Sequence, residues 1–304
     1  MAFTAKDVAK LREMTNVGMM DCKKALSASD GDMDKAIEWL RERGLAAAAK
    51  KSGRIAAEGV AYAAVLDGVG VIVEVNSETD FAAKSPIFTG LVEDVAKAIA
   101  AENPADVDAL LKCTYPGSDK TIEAMLPEKI LVIGENVKIR RFARFAEGVS
   151  VPYVHMGGRI GVLVNLAVEG DIDATTIGKD LAMQIAALNP RFLDKSKVTD
   201  EVLEEEKKIL VAQMDNDPKM ASKPQQVKEK IAAGKLNKFY EENCLMQQAF
   251  VKDSAVTVEQ YVAAAAKELG GKVTLVDAVR YEKGEGIEKK QEDFAAEVAA
   301  AMGK

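Results

Sequence analysis

Histidine and cysteine are scarce in this chain. Its 304 residues include one histidine, His155, and three widely separated cysteines, Cys22, Cys113 and Cys244. An odd, scattered set of thiols excludes a disulfide framework and a zinc motif, and it suits a reducing compartment. No H-E-x-x-H segment occurs, so no metal site is expected. No base–nucleophile pair announces itself around His155. Phosphate-binding loops are missing as well. Gly234-Lys235 runs into Leu236 and Gly271-Lys272 into Val273, so neither completes G-x-x-x-x-G-K-[ST]. Gly68-x-Gly70 leads into a β-forming run instead of a helix, which argues against a dinucleotide site and leaves no cofactor expected. Long apolar runs are absent too. The longest, around residues 60–75, is interrupted by Asp67 and glycines, short of the roughly 20 residues of a membrane span. The first residues lack a basic stretch followed by an apolar one, so no signal peptide is expected. Excess positive charge is also lacking. A net charge of −7 argues against nucleic acid as the main partner, despite a local basic stretch at Lys50, Lys51 and Arg54. The expectation is a soluble cytoplasmic protein that is not an enzyme.

What is present supports a folded body. Apolar residues make up 48% and charged residues 29%, enough for a sizeable core spread over two or three domains. Residues 4–44 read as three short helices. Thr4 and Asp7 form a capping-box pair, because a hydroxyl and a carboxylate three apart can each bond an orphan backbone N–H. Val8, Leu11 and Met14 share one helical face; Met19, Cys22 and Leu26 mark a second; Met33, Ala36, Ile37 and Leu40 mark a third, opened by Asp32. Gly44 stands where a helix C-terminus favours positive φ. Trp39 is expected in the core or half-buried. The Ala-rich, basic residues 45–55 read as a helical tether. The whole suggests a compact three-helix module like the ubiquitin-associated fold.

The rest of the chain is duplicated. Glu58-Gly59-Val60 recurs as Glu147-Gly148-Val149, and Gly70-Val71-Ile72-Val73 as Gly161-Val162-Leu163-Val164. A helical block ending Asn103-Pro104 recurs ending Asn189-Pro190, and Arg144-Phe145 recurs as Arg280-Tyr281. Each copy reads β-β-α-β, with a hairpin, a helix stopped before proline and a later strand. The predicted fold is therefore α+β: two related antiparallel sheets, each with helices on one side. The predicted units are 1–55, 56–146, 147–283 and 284–304.

The copies differ in two places. Gly70 to Val95 spans 25 positions and Gly161 to Leu181 spans 20, so the first copy carries about five extra residues between strand and helix. That stretch holds Ser77-Glu78-Thr79-Asp80-Phe81-Ala82-Ala83-Lys84, and exposed loops on a rigid scaffold commonly carry function. Local alternatives are Phe81 as core and Asp80 as a helix N-cap. The second copy carries a long insertion, about 191–242, with two helical segments broken at Asn216-Asp217-Pro218. It reads as an antiparallel helical hairpin, compatible with an arm, a homodimer contact or a partner contact. Residues 288–302 read as an amphipathic helix with Phe294, Val298 and Met302 aligned.

These blocks resemble the elongation factor Ts family along essentially the whole chain. The resemblance rests on Thr15-Asn16-Val17-Gly18-Met19-Met20-Asp21-Cys22-Lys23-Lys24-Ala25-Leu26 and on Glu74-Val75-Asn76-Ser77-Glu78-Thr79-Asp80-Phe81. Ile133-Gly134-Glu135-Asn136, His155 with the following Gly158-Arg159-Ile160-Gly161, and Gly284-Glu285-Gly286-Ile287 add to it. The family's usual valine after T-D-F is Ala82 here, a shorter apolar contact. The resemblance implies binding to GDP-bound and nucleotide-free elongation factor Tu. It implies that Thr79, Asp80, Phe81 and Ala82 dislocate Mg²⁺ in that partner, promoting GDP release. It further implies partner contacts at Met20, Lys23, Lys84, Ile133, Gly134, His155 and Phe294. Competing readings are an RNA-binding accessory protein, which would need a basic face, and an enzyme using His155. An adaptor built on the helical module alone would leave the duplicated body unexplained.

Overall fold

The computed structural model describes residues 3–288 other than residue 16. Three helices open the chain: α1 (Ala5–Thr15), α2 (Met19–Ala28) and α3 (Met33–Lys51). Thr4 and Asp7 bond reciprocally, the Thr4 N–H donating to the Asp7 carboxylate at 2.7 Å, as the capping-box spacing predicts. Asp32 caps α3 by accepting from the Lys35 N–H at 3.0 Å. Val8, Leu11, Cys22, Leu26, Ala36 and Leu40 form one small core, and Trp39 is half-buried against it with Arg43 over its ring.

The first β-β-α-β unit follows. It comprises β1 (Glu58–Leu66), β2 (Val69–Ser77), the short helix α4 (Asp80–Ala83), α5 (Pro86–Glu102), α6 (Val107–Lys112), α7 (Ile122–Ile133) and β3 (Lys138–Phe145). The second unit is β4 (Val149–His155), β5 (Ile160–Glu169) and α8 (Thr175–Leu188), then the paired helices α9 (Asp200–Asn216) and α10 (Gln225–Asn243). It ends with the two-stranded β6 (Ala249–Phe250) and β7 (Asp253–Thr257), α11 (Val258–Glu268) and β8 (Lys272–Glu282). The sheets are β1-β2-β3 and β4-β5-β8, both antiparallel, so the duplicated order is duplicated architecture. Even the irregularities repeat. The register slips between Glu74 and Val75 in one sheet and between the matched Asn165 and Leu166 in the other. Both repeat helices end on an asparagine in the left-handed region, Asn103 and Asn189, so the cap lies one residue before the proline.

One glycine departs from expectation. Gly44 is not a C-terminus: α3 runs through it to Lys51, and the glycine is buried against α7. A Cβ there would lie 3.3 Å from the Pro127 carbonyl oxygen, so the residue permits close helix contact instead of a left-handed turn. The predicted tether is accordingly helical through Lys51 but packed, with Ala48 against the first sheet's core.

Each sheet packs helices on one face, as predicted. Val71, Val73 and Val75 of β2 face Phe88, Leu91, Val95 and Ile99 of α5; Val162, Val164 and Leu166 of β5 face α8 and α11. Period-two alternation sends the intervening residues to the other face. There the two sheets meet, with Ala63 and Ile72 against Leu163. The contacts are reciprocal. A Cβ at Gly70 would lie 2.5 Å from Ser150 Cβ, and one at the matched Gly161 would lie 3.0 Å from the carbonyl oxygen of Ala61. Since Ala61 and Ser150 are themselves matched positions, the sheets are related by an approximate two-fold. Gly161→Val should therefore overpack this seam and cost about 1–3 kcal/mol, read as a lower thermal midpoint. An unchanged midpoint would show that the sheets part easily.

Candidate functional site

The chain leaves the buried end of β2 and turns at once into α4. Ser77 Oγ donates to the Thr79 carbonyl at 2.9 Å, and Thr79 caps α4 by accepting from the Ala82 N–H at 3.2 Å. Asp80 is thus the first helical residue and not the cap, contrary to the local alternative. Ser85 caps α5 immediately afterwards, accepting from the Phe88 N–H at 3.3 Å, with Pro86 as a preorganised first residue. Two caps six residues apart leave room for one helical turn. Residues 81 and 83 lie some 200° apart around that turn. Ala83 goes inward and is buried, so Phe81 goes outward and is 83% exposed. The alternative of Phe81 as core is excluded.

The tip is anchored to a second segment. Glu135 takes the Thr79 N–H at 2.9 Å and the Thr79 hydroxyl at 2.6 Å. Glu78 takes the Asn136 N–H at 2.7 Å. Ile133 ends α7 half-buried, and Gly134 adopts φ 86°, turning the chain toward the tip. Asp80 and Lys84 form an ion pair of 2.6 Å on the exposed side. The hydrogen bond from Lys84 holds the Asp80 carboxyl below its ordinary value, so it stays ionised at neutral pH. A pair this exposed is screened by water and adds little to stability, so its atoms stay free to exchange partners.

A shallow groove adjoins the tip. Ala83, Lys84 and Thr89 line one side and Val154, Gly157 and Gly158 the other. His155 stands at the end of β4 beside this groove, exposed, with its Nδ1 2.9 Å from the Tyr153 hydroxyl. Ala82 is half-buried in α4. The structure therefore brings together Thr79, Asp80, Phe81, Ala82, Lys84, Ile133, Gly134 and the His155 turn. Met20 and Lys23 sit apart, exposed on α2 within the helical module, whose exposed apolar side chains also include Met14 and Met19. Phe294 lies outside the described residues. Among the described residues, no group of three or more His, Cys, Asp or Glu side chains is placed to hold a metal ion, and no helix is long and apolar enough to cross a membrane.

Two features escaped sequence reasoning. The bracket at Glu78 and Glu135 joins residues more than fifty positions apart, with no spacing rule to reveal it. Glu74 is fully buried in β2 and pairs with Arg140 at 3.0 Å and Arg141 at 2.6 Å. A carboxylate inside an apolar strand was the available signal, since such groups are buried only when paired.

The family model described as elongation factor TS matches residues 78–285. The chain is 47% identical over 313 positions to the elongation factor Ts of Trichlorobacter lovleyi, covering all of this chain and 99% of that protein. It is 47% identical over 305 positions to that of Clostridium botulinum, covering 98% of each. It is 48% identical over 301 positions to that of Clostridium kluyveri, covering 97% of each. The chain thus takes its place among the elongation factors of protein synthesis. Within them, it belongs to the elongation factor Ts family.

Proposed function

We propose that this protein is a guanine-nucleotide exchange factor that binds elongation factor Tu–GDP, disturbs its Mg²⁺ site and promotes GDP release so that GTP can bind. The observation carrying this reading is Phe81, an aromatic ring held almost fully in solvent on a doubly capped turn. A folded monomer gains nothing from that exposure, whereas a rigid ring is a strong anchor in a partner's apolar gap. GTPases of the partner's type hold their nucleotide through backbone N–H groups, a lysine and a bridging Mg²⁺. Phe81 wedges between partner elements, Asp80 competes for the donors around the metal, and Thr79 and Ala82 shape the approach. No bond is made or broken, so the protein acts as a binding factor and not as an enzyme.

Exchange is a coupling between two ligands of one GTPase. If this factor weakens GDP binding, GDP weakens binding of the factor by the same ratio. Each tenfold of coupling needs about 1.4 kcal/mol gained in the nucleotide-free complex. Several contacts supply it: Met20 and Lys23 on the helical module (1–55), the tip and Ile133–Gly134 on the first unit (56–146), His155 on the second (147–283), and Phe294 in 284–304. The working compartment is the cytoplasm, and dimerisation through the helical hairpin remains compatible with exchange. Release of fluorescent GDP from elongation factor Tu, with and without this protein, tests the reading. Strong acceleration is expected, and an unchanged rate rejects it.

The hairpin is held at its base. The Arg191 and Phe192 N–H groups both donate to the Asn243 carbonyl, Phe192 packs near Phe239, and Gln247 bonds Asp194. Replacing residues 199–238 by a short Gly-Ser linker keeps these base contacts. That variant should retain most of the exchange activity. Complete loss in a folded variant would make the arm part of the exchange machinery.

A further inference from the structure

Building on the exchange reading, we propose that Glu135 is a positioning residue for exchange: its carboxylate grips Thr79 and thereby aims Phe81. A four-residue helix has no stability of its own, because nucleation costs more than one turn returns. Its orientation must come from outside. Glu135 supplies it by accepting two bonds from one residue, at 2.9 Å from the Thr79 N–H and 2.6 Å from its hydroxyl. That hydroxyl is also the cap of α4, so gripping it fixes the helix and its entry angle together. Only a carboxylate offers two acceptor oxygens to two converging donors.

The grip is reciprocal. Glu78 precedes Thr79 and takes the Asn136 N–H, while Glu135 precedes Asn136 and takes the Thr79 N–H. Each segment lends a carboxylate to the other's backbone, which resists both sliding and twisting. The bracket stands on a firm base. Asn136 is 2% exposed, and its side-chain amide donates to the Arg54 carbonyl at 2.7 Å, at the exit from α3. Gly134, at φ 86°, sets the direction from which Glu135 reaches across.

A released tip would still be present but would spend less time in the docking orientation. Its effect falls in proportion to the population lost. Binding by the other contacts would persist, so the maximal rate should suffer more than the concentration dependence. Stopped-flow release of fluorescent GDP from elongation factor Tu, titrated with each variant, separates the two. Glu135→Ala should lower the saturating rate about tenfold and shift the half-saturating concentration less than about threefold, with Glu135→Asp recovering part of the rate. Thr79→Val, which removes the hydroxyl that Glu135 grips and with it the cap of α4, should move the rate the same way and provides the test if Glu135→Ala folds poorly. In a double-mutant cycle, Glu135→Ala should add little to Phe81→Ala, since the grip acts through the ring. Saturating rates equal to wild type for both Glu135→Ala and Thr79→Val overturn the proposal, as does full additivity with Phe81→Ala. Failure of the wild-type protein itself to accelerate release overturns the exchange reading instead.

Discussion

Phe81→Ala should lower the acceleration of GDP release from elongation factor Tu by about 30-fold or more, the effect of losing about 2 kcal/mol from a central aromatic anchor. The fold should not notice. The ring is 83% exposed, so its truncation leaves no cavity, and surface changes of this kind fall within about 0.5 kcal/mol. The combination is the informative part. A buried phenylalanine would lose stability and activity together, whereas this one should lose activity at an unchanged thermal midpoint. Near-normal release at saturating Phe81→Ala would move the exchange role away from the tip.

Glu74→Gln should destabilise the protein by about 3 kcal/mol, the low end for breaking a buried ion pair. Glu74 has no exposed surface, and its carboxylate accepts from Arg140, Arg141, the Asn76 amide and the Gly284 N–H. The low end applies because the Arg140 and Arg141 side chains keep 28% and 31% of their surface in water and can partly resolvate. Arg141 also lies over the Tyr281 ring and pairs with Glu285, so the cluster ties the first sheet to the end of β8. Burial alone would raise the Glu74 carboxyl. The Gly284 N–H, Asn76 and the two arginines outweigh it and hold the carboxyl below its ordinary value of 4.5. A depressed carboxyl contributes stability that is complete above its unfolded value and is lost as pH falls through the folded one. The gap between wild type and Glu74→Gln should therefore be constant near neutrality and narrow below about pH 4.5. Urea midpoints measured from pH 7 downward check this. A gap that stays constant into the acid range would mean that shape, not charge, is what Glu74 contributes.

Much of the architecture was legible in the residues. Matched blocks such as Gly70-Val71-Ile72-Val73 and Gly161-Val162-Leu163-Val164 announced a duplication because the same local pattern folds to the same strand twice. Thr4 with Asp7 and Asp32 before Met33 announced helix starts because caps act over three residues. The tip was legible as an insertion within one copy. Gly44 misled because a glycine's meaning depends on its neighbour: helix contact with Pro127 and a left-handed turn require the same missing Cβ. The near-continuous apolar runs of β2 and β5 hid which residues face helices and which face the other sheet, since both faces are buried.

Local chemistry alone, acting over a few residues, determined the helical module, the two β-β-α-β units, the inserted hairpin and the place of the Asp80-Phe81 tip. Only the tertiary structure decided that the two sheets close on each other through Gly70 and Gly161, that Glu74 is paired, and that Glu135 grips Thr79. These pairings join residues tens of positions apart, and no periodicity records them. They exist because burying both sheets' inner faces brings those distant segments within hydrogen-bonding reach.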